Sequence, residues 1–163
     1  MGSVAVTLEI EAPLDFVWAR LSDLSSHSEW MSDAASISFL TEQRRGEGVR
    51  MRVPTRVGVL RITDLMEIDE WIEGRRIGVR HVGPVGGWGR FELSDHPPRC
   101  GLTWTEHLRF PWYLGGFLTE RSSRPILRRI FRANLIRFKK RVEDDWDGER
   151  GASFPRRSPC ASR

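Results

Sequence analysis

The sequence predicts an α+β domain in the order β-α-α-β6-α: one strand, two short helices, six strands in an antiparallel meander and a long C-terminal helix. Three observations carry this prediction. The hydrophobic period is two over residues 4–10 and again from about 37 to 110. It is helical between those runs and again at the end of the chain. Glycine-rich breaks at hairpin spacing separate the period-two runs.

The elements follow in order. Val4 to Ile10 is rich in β-branched residues and reads as a strand. Pro13 sits where a first helical turn tolerates proline, and Phe16, Val17, Ala19 and Leu21 form a stripe with Trp18 also apolar, giving a helix over about 13–22. Ser25 to Glu29 offers an N-cap serine with an acidic residue in the first turn, ahead of Trp30 and Met31, for a second, very short helix. Ile37 and Phe39 then alternate with serines. Val49, Met51, Val53 and Val57 alternate with arginines, and Leu60, Ile62, Met66 and Ile68 with Arg61, Thr63 and Glu67. "RRGEG", "RVGV" and "EGRR" supply the turns, "GPVGGWG" breaks the chain before Phe91 and Leu93, and "DHPPRCG" breaks it before Leu102 to Phe110. After "PWYLGG", Ile126, Leu127, Ile130, Phe131, Leu135, Phe138 and Val142 keep a helical stripe. Pro125 suits the first turn of that helix, or a kink if 117–122 is also helical.

A strongly curved sheet has a concave face too wide for its own side chains to fill. A long helix laid across it closes a cavity, and two small helices plug one end. Length and composition agree with one such unit: 163 residues allow a single domain, placed at 1–146, followed by a basic tail at 147–163 with no periodicity that is expected to be disordered. The chain is 39% hydrophobic and 29% charged. No apolar run approaches the roughly 20 residues that span a bilayer, and the N-terminus has no basic and apolar leader, so a cytoplasmic protein is expected. Cys100 and Cys160 are far apart and offer neither a disulfide framework nor a metal-binding pair. The net charge is +4, nearly all of the cations being arginine. Either anionic partners or a solvated surface would account for that bias, and the charges are spread along the chain.

The stretch "VTLEIEAPLDFVWARLSDLSSHSEW" resembles the opening of the SRPBCC superfamily (START, birch-pollen-allergen and polyketide cyclase/dehydrase domains). "LTWTEHLRFPWYLGGF" and "RPILRRIFRANLIRFKKRVE" are similar to the closing strand and gripping helix of its polyketide cyclase/dehydrase branch, so that the resemblance covers residues 4 to about 146. It implies the helix-grip fold. The superfamily includes lipid carriers, hormone receptors and aromatase/cyclases, so the fold leaves the activity open.

Strand parity selects the pocket candidates. On the closing strand Leu102, Trp104, Leu108 and Phe110 share a face with Glu106; Asp64 shares one with Ile62, Met66 and Ile68, and His81 with Ile77 and Val79. A carboxylate unpaired in an apolar cavity would have a raised pKa and could shuttle protons; alternatively Glu106 and Asp64 pair with arginines or sit at a wet mouth, and His81 is a satisfied strand histidine. Asn134 falls within the helical stripe, where its amide would meet a ligand carbonyl or a backbone group of the sheet. Trp104 and Trp112 offer flat surfaces for an aromatic ligand, Trp112 from a proline- and glycine-flanked loop at the expected cavity mouth, and Met66, Phe91, Ile130 and Phe138 complete the expected lining.

No histidines stand at ligand spacing, and no phosphate loop, dinucleotide fingerprint or GxSxG motif occurs, so no metal and no cofactor is expected. Two functions compete. One is a carrier or receptor for a hydrophobic small molecule (lipid, polyketide or aromatic metabolite), as monomer or homodimer. The other is a polyketide cyclase/dehydratase with Glu106, Asp64 or His81 moving protons. A third, an arginine-rich module for acidic partners, ranks below them, and nucleic acid is not an expected partner.

Overall fold

Among the described residues the period-two runs become seven strands and the helical runs three α-helices. A computed structural model describes residues 3–57, 60–112 and 116–153. The order is β1 (Ser3–Ile10), α1 (Leu14–Leu21), a 3-10 turn (Leu24–Ser26), α2 (His27–Trp30), β2 (Ser38–Phe39), β3 (Arg50–Val57), β4 (Leu60–Ile72), β5 (Arg76–Val82), β6 (Gly86–His96), β7 (Arg99–Arg109) and α3 (Gly116–Ser153).

The strands form one antiparallel sheet in the order β1-β7-β6-β5-β4-β3-β2. The first strand therefore pairs with the last, Ser3 opposite His107 and Ile10 opposite Cys100. The chain has to cross from one edge of the sheet to the other before the meander begins, and α1 and α2 make that crossing. The sheet bends through a register shift between Ile68 and Glu70 on β4, since an extra residue increases local twist. On β6, Gly87 has φ 143°. A Cβ on Gly87 would lie 1.9 Å from the His107 carbonyl oxygen, so only glycine permits β6 and β7 to approach there.

α3 lies across β1 and β7 and buries Leu127, Phe131, Leu135, Phe138 and Val142, a stripe at spacings of three and four residues. On α1, Val17, Trp18 and Leu21 are the buried face. Glu73, in the turn between β4 and β5, accepts from Trp18 Nε1 at 2.7 Å and from Trp71 Nε1 at 2.9 Å and also pairs with Arg45. These donors hold its carboxyl below the usual glutamate range and fasten that turn to α1. Cys100 is a buried thiol, raised to about 11 by burial.

Three stretches gain detail. "GPVGGWG" divides into a turn and a strand start, β6 beginning at Gly86 and taking in three of its four glycines. Of the two places open to Pro125 the interior one holds: α3 starts at Gly116, and the proline ring removes one main-chain hydrogen bond within it. α3 runs past the expected boundary at 146 to Ser153. Residues 147–153 have no apolar stripe. Their helix is supported by charge instead: Arg150 pairs with Asp147 and lies over the Trp146 ring, and Arg20 of α1 reaches Asp145 at 3.2 Å and Glu149 at 3.3 Å. The turn glycine at 58, the centre of the "PWYLGG" loop and the tail from 154, Cys160 included, lie outside the described residues.

Two buried polar groups lock the crossing segment to the rest of the fold. His27 donates from Nε2 to the Leu21 carbonyl at 2.8 Å, since a carbonyl can only accept, and packs against Trp30 and Phe91. Burial lowers its pKa to about 4. Asn134, fully buried on α3, accepts from Ser32 N and Oγ at 3.1 Å and from Arg137 at 2.8 Å, and donates to Asp33 Oδ1 at 2.6 Å.

Both groups make predictions. Asn134→Ala leaves the Ser32 and Asp33 groups unsatisfied and is expected to lower the unfolding free energy by about 1–3 kcal/mol in urea titration; an unchanged midpoint would contradict the role of Asn134 as a tie. His27 is neutral in the folded protein, so its contribution is complete above pH 6.5 and is lost as pH falls toward about 4. The urea midpoint of the wild type should decline through that window more steeply than that of His27→Gln, which keeps a donor for Leu21 and has no ring to protonate.

Candidate functional site

The concave face of the sheet, α3 and the segment after α2 enclose a cavity of about 210 Å³. Its wall is apolar for the most part, with Met51 and Val53 from β3, Ile68 from β4, Val79 from β5, and Leu127 and Phe131 from α3.

Strand alternation carries three ionisable side chains to the inside of this wall: Asp64 on β4, His81 on β5 and Glu106 on β7. All three are nine-tenths or more buried. They meet. His81 Nδ1 stands 2.5 Å from Asp64 Oδ2 and His81 Nε2 stands 2.5 Å from Glu106 Oε1, while Trp104 Nε1 donates to Glu106 Oε2 at 2.7 Å. Burial alone would lower the imidazolium pKa. The hydrogen bonds to Asp64 and Glu106, and their charges, outweigh it and lift His81 to about 10. At neutral pH the ring is an imidazolium donating from both nitrogens. The two carboxyls are neither unpaired, nor paired with arginine, nor at a wet mouth: they are buried and their partner is His81.

β5 and β7 are not neighbours, because β6 runs between them. Glu106 lies opposite Gly89 of β6, and a Cβ on Gly89 would be 2.5 Å from Glu106 Oε2. The missing side chain is what lets the glutamate reach across a whole strand to His81. On the other side a Cβ on Gly83 would be 2.8 Å from Asp64 Oδ1, an atom with no hydrogen-bond partner among the described residues. Two glycines thus leave room for the two carboxyls.

Six of the expected lining residues border the cavity: Asp64, Met66, His81, Phe91, Trp104 and Glu106. Four do not. Trp112 stands 87% exposed, because the chain leaves β7 before reaching it. Asn134 faces Ser32 and Asp33 instead of the cavity, Phe138 packs on Trp30 with ring centroids 5.0 Å apart, and Ile130 is half-buried against the core. Sequence reasoning passes over His27 and Asp33, which also line the cavity, and Gly89. His27 and Asp33 sit in a segment without strand parity. Gly89 has a signal, since it shares parity with Phe91 on an inward-facing strand. Among the described residues no group of three or more His, Cys, Asp or Glu is placed to hold a metal, and no helix is long and apolar enough to cross a membrane.

Residues 1–143 match the family model described as polyketide cyclase / dehydrase and lipid transport. No curated protein matches the sequence. Among solved structures, the Thermus thermophilus protein TTHA0849 superposes with a TM-score of 0.71 at 19% identity, over 88% of this chain and 99% of that one. A Deinococcus radiodurans protein gives 0.66 at 16% identity, over 89% and 99% of the two chains. The Zhui aromatase/cyclase from a Streptomyces species gives 0.63 at 19% identity, over 93% and 95%. At these identities the likeness is one of fold. With the family model spanning nearly the whole described chain, the protein belongs to the polyketide cyclase / dehydrase and lipid transport family and has its helix-grip architecture.

Proposed function

We propose that the protein binds a hydrophobic small molecule, of the lipid, polyketide or aromatic-metabolite kind, in the cavity between the curved sheet and α3. The observation that carries this reading is the space itself, about 210 Å³ behind an apolar wall. Protein interiors pack like organic crystals, with few voids larger than a water molecule. Burying apolar surface is worth about 25 cal/mol per Å², so a guest with matching apolar surface has a driving force for entering this cavity without any strong polar contact.

A second reading, cyclisation and dehydration of a poly-β-ketone chain, is favoured by one observation, the Asp64–His81–Glu106 cluster on the cavity wall. The fold likeness to a protein named as an aromatase/cyclase is compatible with it. In the arrangement seen, both His81 nitrogens donate to carboxyls, so the ring has no lone pair with which to take a proton from a substrate. Proton abstraction would require His81 to leave one carboxyl. Binding needs no such rearrangement, and it is the reading we favour.

Two measurements separate the readings. Nile red fluorescence should report binding by the wild type, with at least a tenfold loss of affinity in Val79→Phe and Val53→Phe, each of which fills part of the cavity. Unchanged affinity in both, with melting temperatures preserved, would place the dye elsewhere and remove the support for a cavity guest. A poly-β-ketone thioester is expected to cyclise with the protein no faster than, and to the same products as, in buffer alone; an acceleration that falls about 100-fold or more in Glu106→Gln would establish the second reading instead.

A further inference from the structure

The cavity reaches one end of the fold. Thr55 and Ile62, near the β3–β4 tip, Phe110 just beyond β7 and Ser123 on α3 line it there and are half-buried, whereas Ile68 and Ile77, on the way to the β4–β5 turn, are fully buried. Charge divides along the same axis. Between Glu120 and Glu143 the sequence has nine arginines or lysines and no acid, and residues 143–149 hold five acids. Glu143 accepts from the Glu11 N–H at 2.7 Å, which places the acidic part of α3 beside the end of β1, away from the open end of the cavity.

The sheet repeats the division. Residues 52–63 hold three arginines and no acid. Arg56, which has a contact of its own, stands directly opposite Arg61, and both are exposed, so two like charges face each other across the strand pair. Arg61, Arg109 at the end of β7, and Arg128 and Arg129 on α3 are exposed and have no side-chain partner among the described residues. Toward the other end the cations are mostly paired, Arg76 with Glu70 and Glu92, Arg99 with Glu9 and Lys139 with Glu143, and Arg75 in the β4–β5 turn is the exposed exception. Apolar side chains stand among the unpaired arginines. Val82, 42% exposed, shares a cross-strand row with Arg109 through Gly86; Trp112, 87% exposed, follows three residues after Arg109; Ile126, 56% exposed, neighbours Arg129 on the helix surface. The described acids of this end are turned inward, Asp33 toward Asn134, and Asp64 and Glu106 toward His81.

From this we infer that the protein docks on anionic membrane surfaces through the open end of the cavity, with Arg61, Arg109, Arg128 and Arg129 facing lipid headgroups and Trp112 and Ile126 entering the interfacial layer. Charge and exposed apolar surface together select this partner. A soluble polyanion would satisfy the arginines and leave Trp112 and Ile126 in water. A neutral bilayer would take up the apolar groups and leave the repulsion between Arg56 and Arg61 unrelieved. An anionic bilayer answers both, because tryptophan favours the lipid–water boundary and each cation beside an anionic surface is worth about fivefold in affinity. Docking in this orientation lets a hydrophobic guest pass between bilayer and cavity without crossing water. The docking itself goes beyond the binding reading above and does not depend on it, since the same groups meet the bilayer whether the cavity is filled or empty.

Flotation of the full chain with phosphatidylcholine vesicles, with and without phosphatidylglycerol, tests this. The wild type is expected to bind the vesicles containing phosphatidylglycerol at least tenfold more tightly than phosphatidylcholine alone. Arg61→Glu combined with Arg109→Glu should lose at least tenfold of that affinity, while Arg75→Glu, a charge reversal at the opposite end, should leave it within twofold. Arg128→Glu combined with Arg129→Glu provides the same comparison should the first pair fold poorly, as read by near-ultraviolet circular dichroism. Insertion is read from quenching of tryptophan fluorescence by brominated lipids, which is expected in the wild type and should fall by at least threefold in Trp112→Ala. Equal binding to both kinds of vesicle, a loss in Arg75→Glu as large as in the paired variants, or quenching unchanged in Trp112→Ala would overturn the inference. So would polyglutamate or single-stranded DNA binding as tightly as the anionic vesicles at the same ionic strength, which would assign this end to a soluble polyanion. Failure of Nile red to bind would strike the cavity reading and leave the docking standing, and failure of the vesicles to bind would do the reverse.

Discussion

The clamp on His81 is the interaction on which the interior of this protein depends. An imidazolium held between Asp64 and Glu106 connects β4, β5 and β7, so one buried side chain joins strands that span most of the sheet. Removing one partner of such a cluster would strand the others in an apolar medium, which is far costlier than never having built it. The clamp also depends on a side chain that glycine does not have. Without the bare Cα of Gly89, Glu106 would be blocked by β6 before it reached the ring. Room, charge and hydrogen bonding are therefore set jointly by four positions on four strands.

That arrangement accounts for the character of the cavity. A curved sheet and a crossing helix leave the hollow, and most of its wall is apolar. The polar cluster satisfies nearly all of its own groups and so adds little general affinity for a guest.

Much of this is legible in the sequence, and the illegible parts have physical reasons. Parity alone puts Asp64, His81 and Glu106 on the inner face, because a strand side chain has only two directions to choose from. Parity is silent on which strands are neighbours and how far a side chain reaches, so the meeting of the three cannot be read from it. The glycines of "GPVGGWG" look like a turn because glycine usually breaks strands, whereas here its small size is what the strand needs opposite Glu106 and beside His107. Asn134 does face inward on the helical stripe, but the inside of α3 borders both the cavity and the Ser32–Asp33 segment, and periodicity does not separate the two. The helix outlasts its apolar stripe because ion pairs with α1 and within its last turns replace burial, and charged residues at helical spacing resemble a solvated tail when no partner is in view.

The most direct test of the clamp is the protonation state of His81, read from the nitrogen chemical shifts of its imidazole by NMR. The account predicts that both ring nitrogens carry hydrogens at neutral pH and that the ring loses a proton only as pH approaches about 10. A single neutral tautomer at neutral pH, or a titration near the ordinary histidine value of 6.5, would contradict it.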